Sequence, residues 1–302
     1  NIFYKLFGDK NLIEKSLINK KIDNHTFEII HTENNIKGED SALAAAKRGK
    51  NTSMWKSIES VKYQSSDIIL SAGNTGALFV IAKINLNMIE KIDKPALSGL
   101  WPNKIGMNVV LDLGANIECN EKNLIDFSIM GASLHKSLYP EEIAKVALLN
   151  IGSEEIKGNS IIKNTYQELS KLNSSLFDFK GYIEGNNIMS GDVNVIIADG
   201  FTGNIALKTA EGTANFITSE LKKAFAGNLI GKFSSLLNLK NINNFKKKLD
   251  PRLYNGAILL GLNSPVVKSH GGTDFIGFAN AISVCEKIIN GQLIDKIKEN
   301  IN

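Results

Sequence analysis

VNVIIA at 193–198 runs directly into DGFTGNIALKTAEG at 199–212: an almost unbroken apolar stretch, a glycine-rich turn and a helix-forming run. The first part reads as a strand buried on both faces, and the second as a turn that opens a helix. Glycines at a helix start let an oxyanion approach backbone N–H groups that carry a partial positive charge. This turn is therefore expected to cradle an anion, with Thr202, Asn204 and Lys208 adding donors. DIIL at 67–70 followed by SAGNTGAL at 71–78 repeats the pattern, and VVL at 109–111 followed by DLGAN at 112–116 repeats it again. Parallel strands align their carboxyl ends, so the three turns are expected to meet at one crevice. None contains GxGxxG or GxxxxGK[ST], so no nucleotide fingerprint is present.

Strands and helices alternate from end to end without repeats, which predicts an α/β fold with a mostly parallel sheet covered by helices. At 302 residues, 43% hydrophobic and 22% charged, the chain has the composition of a soluble globular protein with a substantial core. No apolar run approaches the roughly 18 to 20 residues needed to span a bilayer, and a cytoplasmic location is expected. Cys119 and Cys285 have no partner pattern, and His25, His31, His135 and His270 have no metal-ligand spacing, so neither a disulfide framework nor a metal site is expected. The net charge of +4 is modest, and no nucleic-acid partner is expected. Its distribution is uneven: seven lysines (222, 223, 232, 240, 246, 247 and 248) and no acid lie between 221 and 249. The domain reading is one α/β unit from 1–212 and 256–302, interrupted by a helical basic insertion at 213–255.

The ordered set SAGNTGAL (71–78), LDLGAN (111–116), FSIMGAS (127–133), NIGSEEIKG (150–158), GYIEGNNI (181–188), DGFTGNIALKTAEG (199–212) and GAILLGLNSPVVKSHGGTD (256–274) resembles the bacterial phosphate acyltransferase (PlsX) family. The resemblance covers nearly the whole chain. It implies an isocitrate/isopropylmalate dehydrogenase-like fold, a homodimer, and peripheral attachment to the inner face of the cell membrane. The implied reaction converts acyl-[acyl carrier protein] and inorganic phosphate to acyl phosphate, which a downstream acyltransferase uses in phospholipid synthesis. No cofactor is implied. The family begins with a further strand and helix carrying a Gly-Gly-Asp turn, whereas Ile2 to Asp9 here resemble the second strand; a partial sequence is expected.

Thioester-to-phosphate transfer needs position and charge stabilisation more than proton chemistry, because phosphate is already anionic and a thiolate leaves readily. Backbone N–H groups, asparagine amides and lysine meet that need. Lys208, Asn204 and His270 are the candidate catalytic residues, and Ser71, Asn74, Thr75, Asn116, Thr202 and Lys268 the candidate phosphate or substrate contacts. Each has a plainer reading: Lys208 as a solvated helix lysine, Asn74 and Asn204 as helix caps, His270 as a loop histidine. Asp112 and Asp199 are expected to orient neighbours, since a carboxylate repels phosphate. In the insertion, Phe233 and Leu237 with Lys246, Lys247 and Lys248 suit either an anionic bilayer or acidic carrier protein, on short helices broken near Gly227 and after Leu239. Alternatives are a short-chain phosphotransacylase using acyl-coenzyme A and a non-catalytic membrane or carrier-protein binding module. A nicotinamide-dependent dehydrogenase would rest on fold analogy alone.

Overall fold

Two of the three expected strand–turn–helix units form as read. Ile69–Ser71 leads into a helix at Thr75–Leu86, and Val195–Ile197 into one at Gly200–Ala226. The strand at Met107–Leu111 instead enters a loop, and its next helix starts only at Glu121. The computed structural model describes residues 2–18, 20, 22–226, 238–248 and 250–301. In chain order the elements are β1 (Tyr4–Gly8), α1 (Lys10–Leu17), β2 (Phe27–His31), α2 (Ala42–Arg48), α3 (Ser53–Lys62), β3 (Ile69–Ser71), α4 (Thr75–Leu86), β4 (Ala96–Pro102), β5 (Met107–Leu111) and α5 (Glu121–Leu138). There follow β6 (Ala144–Asn150), α6 (Ser160–Lys171), β7 (Phe177–Glu184), β8 (Val195–Ile197), α7 (Gly200–Ala226), α8 (Leu239–Lys248), β9 (Ala257–Leu260), β10 (Val266–Lys268), α9 (Phe275–Asn290) and α10 (Leu293–Asn300). Thr52, Asn74, Asn159 and Asp274 cap α3, α4, α6 and α9 by accepting from backbone N–H groups of the first turn. Each such cap contributes about 1 kcal/mol.

β1 and β2 form a small parallel pair, and the remaining strands one sheet in the order β3-β10-β9-β4-β5-β8-β6-β7. Pairings β3–β10, β5–β8, β8–β6 and β6–β7 are parallel, while β10–β9, β9–β4 and β4–β5 are antiparallel. The sheet is thus mostly parallel, as expected, but the three antiparallel steps reverse direction an odd number of times. β3 and β10 therefore point opposite to β5 and β8, and alignment of parallel carboxyl ends is not what joins their turns.

Both faces are covered, which explains the unalternating apolar strands. Val109, Leu111, Val195 and Ile197 join Phe127, Met130 and Leu134 of α5 in one core, whereas Val110 and Ile196 face the other side beneath Ala206, Leu207 and Ala210 of α7. A separate cluster packs α2, α3 and α4 against Ile69, Leu259 and Val266. The boundary expected at 212/213 falls inside α7, which continues without interruption to Ala226. α8 already includes Leu239 and Lys240, with Asn238 as the turn residue, so the helix starts before the break expected after Leu239. Gly227, Phe233 and Leu237 lie outside the described residues, as do the side chains of Lys246 and Lys247. No helix among the described residues is long and apolar enough to cross a membrane.

His135 on α5 is fully buried, and neither ring nitrogen has a hydrogen-bond partner among the described residues. Its Nε2 lies 3.5 Å from Glu142 Oε2, close enough to pair only if the ring is charged, and its ring stacks 5.2 Å from that of Tyr139. Burial holds its pKa below the usual histidine value, against the pull of Glu142 and with a smaller push from Lys136. Below the unfolded pKa of about 6.5 the unfolded chain takes up a proton that the folded chain resists, so stability is full above that pH and falls as pH drops towards the depressed folded value. Urea midpoints measured across this window should therefore decline with acid, and His135→Leu should remove part of that slope, at most about 1.4 kcal/mol per pH unit. Equal slopes in the two proteins would exclude His135 as the source.

Candidate active site

At the start of α4, Asn74 Oδ1 accepts from Ala77 N at 3.0 Å, while Asn74 Nδ2 donates to the carbonyls of Gly38 and Asp40 at 2.9 Å and of Lys37 at 3.3 Å. The amide ties the 37–40 loop to the helix and has no donor left for phosphate, which corrects the expectation for its side chain. Ser71 Oγ accepts from Gly73 N at 3.2 Å. The N–H groups of Thr75 and Gly76 have no acceptor among the described residues, so this helix start remains available to an anion.

The α7 start is largely occupied, with only Phe201 N lacking an acceptor among the described residues. Gly200 N donates to Asn116 O at 2.8 Å, and Gly203 N to Asp199 O at 2.9 Å. Thr202 N donates to Asp199 Oδ1 at 2.8 Å, and Thr202 Oγ1 to Asp199 Oδ2 at 2.7 Å. The cradle expected there is thus filled by the chain's own carboxylate, and Thr202 acts in the cap. What brings α7 to the site is its packing on the 112–116 loop: a Cβ on Gly203 would lie 1.9 Å from Asp112 O. Asn204 is exposed and sits beside Gly114, its Cβ and Cγ 3.6 Å from where a side chain on Gly114 would begin. Lys208 is one turn on, 64% exposed, with Nζ 2.8 Å from Glu211 Oε2. It does not line the cavity described below.

Asp112 organises that loop, as expected. Its Oδ1 accepts from Leu97 N, Gly114 N and Ala115 N at 3.0, 3.2 and 3.0 Å, and its Oδ2 from Asn116 N and Nδ2, both at 2.8 Å. Burial raises its pKa while these donors pull it back. Asn116 Nδ2 also donates to Pro95 O at 2.7 Å, so its amide builds the loop instead of facing a ligand. Cys119 nearby is buried, which pushes its thiol up to about 11 and leaves it no role as a thiolate nucleophile near neutral pH.

Lys268 ends β10 beside Ser71, its register partner on β3. Its Nζ donates to Ser269 O, and burial lowers its pKa. His270 follows on an exposed loop; its Nδ1 accepts from Gly272 N at 3.1 Å, which assigns the neutral ring's proton to Nε2. Asn255 holds this loop, with Oδ1 accepting from His270 N at 2.8 Å and Nδ2 donating to Ser269 Oγ at 2.8 Å and Gly277 O at 2.7 Å. Nothing in its local sequence distinguishes Asn255 from a surface asparagine, and it was not among the expected residues. Arg252, between Asp250 and Asp274, braces the same region.

These pieces surround a cavity of about 220 Å³ lined by Thr75, Gly76, Gly114, Ala115 and Lys268 on its polar side and by side chains of α4, β4 and β9 elsewhere. Of the expected residues, Thr75 and Lys268 line it, Asn204 stands at the Gly114 rim, and Ser71 and His270 flank Lys268. Asn74, Asn116 and Thr202 serve the framework, and Lys208 stands apart. No group of three or more His, Cys, Asp or Glu among the described residues could hold a metal ion.

Fold and cavity together define an α/β protein in which a helix start, a lysine and apolar walls converge on one cavity. Residues 2–296 match the family described as Fatty acid synthesis protein. The phosphate acyltransferase of Pelagibacter ubique is 69% identical over 301 residues, covering 100% of this chain and 90% of its own length. That of Paramagnetospirillum magneticum is 41% identical, covering 99% and 85%. The chain belongs to this phosphate acyltransferase family and is an acyltransferase of lipid synthesis. Among solved structures, a phosphotransacetylase from Streptococcus pyogenes superimposes with a TM-score of 0.60 at 15% identity, over 96% of this chain and 85% of that one. 4-hydroxythreonine-4-phosphate dehydrogenase from Klebsiella pneumoniae gives 0.51 at 12% identity, over 94% and 90%. These two likenesses establish the fold alone.

Proposed function

We propose that the chain transfers an acyl group from acyl-[acyl carrier protein] to inorganic phosphate, releasing acyl phosphate for phospholipid synthesis. A phosphate oxygen attacks the thioester carbonyl, the C–S bond breaks, and the thiolate leaves with the proton that phosphate gives up. The observation that carries this reading is the convergence of Lys268 with the open N–H groups of Thr75 and Gly76 at one cavity, in a chain of this family. These groups hold phosphate by charge and by oriented dipoles. Asn204 at the Gly114 rim supplies a neutral donor for the oxyanion, and His270 Nε2–H a hydrogen bond that steadies the departing sulfur while it takes the phosphate's proton. Lys208 enters the site only by leaving Glu211, an exposed pairing worth at most ~1 kcal/mol.

Incubation with phosphate and either acyl-[acyl carrier protein] or acyl-coenzyme A tests the assignment, read as acyl phosphate formed. Preference for the coenzyme A donor would make the protein a phosphotransacylase. Lys268→Ala and Asn204→Ala should each lower kcat/KM by well over tenfold, as loss of one oxyanion contact costs about 2.7–4 kcal/mol; His270→Ala should be milder. Near-normal turnover in both of the first two would sink the phosphate cavity. A loss in Lys208→Ala as large as in Lys268→Ala would mean that its side chain swings in.

Homodimer formation, peripheral contact with an anionic cytoplasmic membrane surface through the basic 213–255 segment, and hand-over to an acyl-phosphate-using acyltransferase belong to the same proposal. Ile242 and Phe245 lie one turn apart on α8, with Phe245 exposed, which supports a surface-binding role. Co-sedimentation of the full protein with anionic but not neutral vesicles tests the membrane contact.

A further inference from the structure

Phosphate has no use for the larger part of the cavity. Leu78, Phe79 and Val80 of α4, Leu97 of β4, Leu259 of β9 and Ala42 of α2 supply the rest of its walls. An acyl donor must bring its carbonyl carbon to the phosphate while its chain leaves in another direction, and that chain requires an apolar surface continuous with the anion contacts. We infer that this cavity is the acyl-chain subsite, holding the carbonyl-proximal methylenes, and that Ala42 and Phe79 set its depth. The inference rests on the acyl-transfer reading above.

The volume makes it quantitative. At ~30 Å³ for each small group, about 220 Å³ accommodates roughly seven, and phosphate at the polar rim takes part of that space. Each methylene taken from water into apolar surroundings is worth about a fourfold gain in binding. With a series of saturated acyl-[acyl carrier protein] donors, kcat/KM should climb about fourfold per methylene while the chain fills the space beside phosphate, and then flatten before ~seven groups.

Ala42→Leu adds branched bulk to the wall and should move the break to shorter chains. Phe79→Ala removes bulk and should move it to longer ones; it also covers the possibility that the added leucine disturbs the contact of α2 with α4. Shifts of opposite sign in the two variants support the subsite. If wild-type protein transfers acyl groups but both variants change all donors by one common factor, the chain lies elsewhere and the inference falls alone. If wild-type protein makes no acyl phosphate with any donor, the proposed reaction falls first.

Discussion

Gly203→Ala should displace the start of α7 and lower stability by more than ~3 kcal/mol, whereas Gly212→Ala in the same helix should raise it by about 0.5–1 kcal/mol. A methyl at 203 would lie 1.9 Å from Asp112 O and 3.0 Å from Asp112 C, which are backbone atoms. Neither side can yield cheaply. Asp112 is fixed by five donated hydrogen bonds to its carboxylate, and α7 by the bond from Gly200 N to Asn116 O. At 212 none of the described residues lies within 4 Å of the added methyl, and alanine only gains helix propensity. Because helix and substitution are the same, the difference between the two variants isolates the loop contact. Activity should follow, since moving the helix takes Asn204 away from Gly114. Urea melts of both variants with kcat/KM provide the check; a Gly203→Ala protein that melts with the wild type would mean that α7 does not rest on the 112–116 loop as described.

What the sequence made legible was local. The apolar runs ending at Ser71, Leu111 and Ile197 are strands, and Asn74 and Asp199 stand where helices begin, because burial period and capping chemistry act over a few residues. Strand direction is not local. β4 pairs with β9 across more than half the chain, and a buried antiparallel strand has the same apolar composition as a buried parallel one. The common crevice was therefore expected for the wrong geometric reason, and of the three turns only those of 71–78 and 112–116 contribute lining residues to the cavity. The asparagines divide on the same principle. Asn74 and Asn116 look equivalent to Asn204 in sequence, yet the carbonyls of the 37–40 loop and of Pro95 occupy the first two amides. Only the partners across the fold decide which amide is left to face a ligand. Lys268 was legible as a cation after a strand, but Asn255, which holds the loop beyond it, was not, because its three partners come from that loop (Ser269 and His270) and from Gly277 of α9.

Asp112→Asn should cost about 3 kcal/mol or more and lower kcat/KM by over tenfold, although it removes a buried charge. Both carboxylate oxygens act only as acceptors: three N–H groups converge on Oδ1 and two on Oδ2. An asparagine must turn its NH2 towards one set, so at least two hydrogen bonds to a charged group, each worth ~1.5–3 kcal/mol, become opposed donors. Relief from burying an ionised carboxylate offsets part of that loss, consistent with the raised pKa of Asp112. Turning the amide the other way is worse, because it abandons Leu97, Gly114 and Ala115. The functional loss follows from position: Gly114 and Ala115 line the cavity, and Asn116 O anchors the first turn of α7. Thermal melting with steady-state kinetics on Asp112→Asn makes the comparison. Wild-type values in both would mean that the backbone bonds from Asp112 N to Ala198 O and from Leu113 N to Leu97 O, each 2.9 Å, hold the loop without the carboxylate.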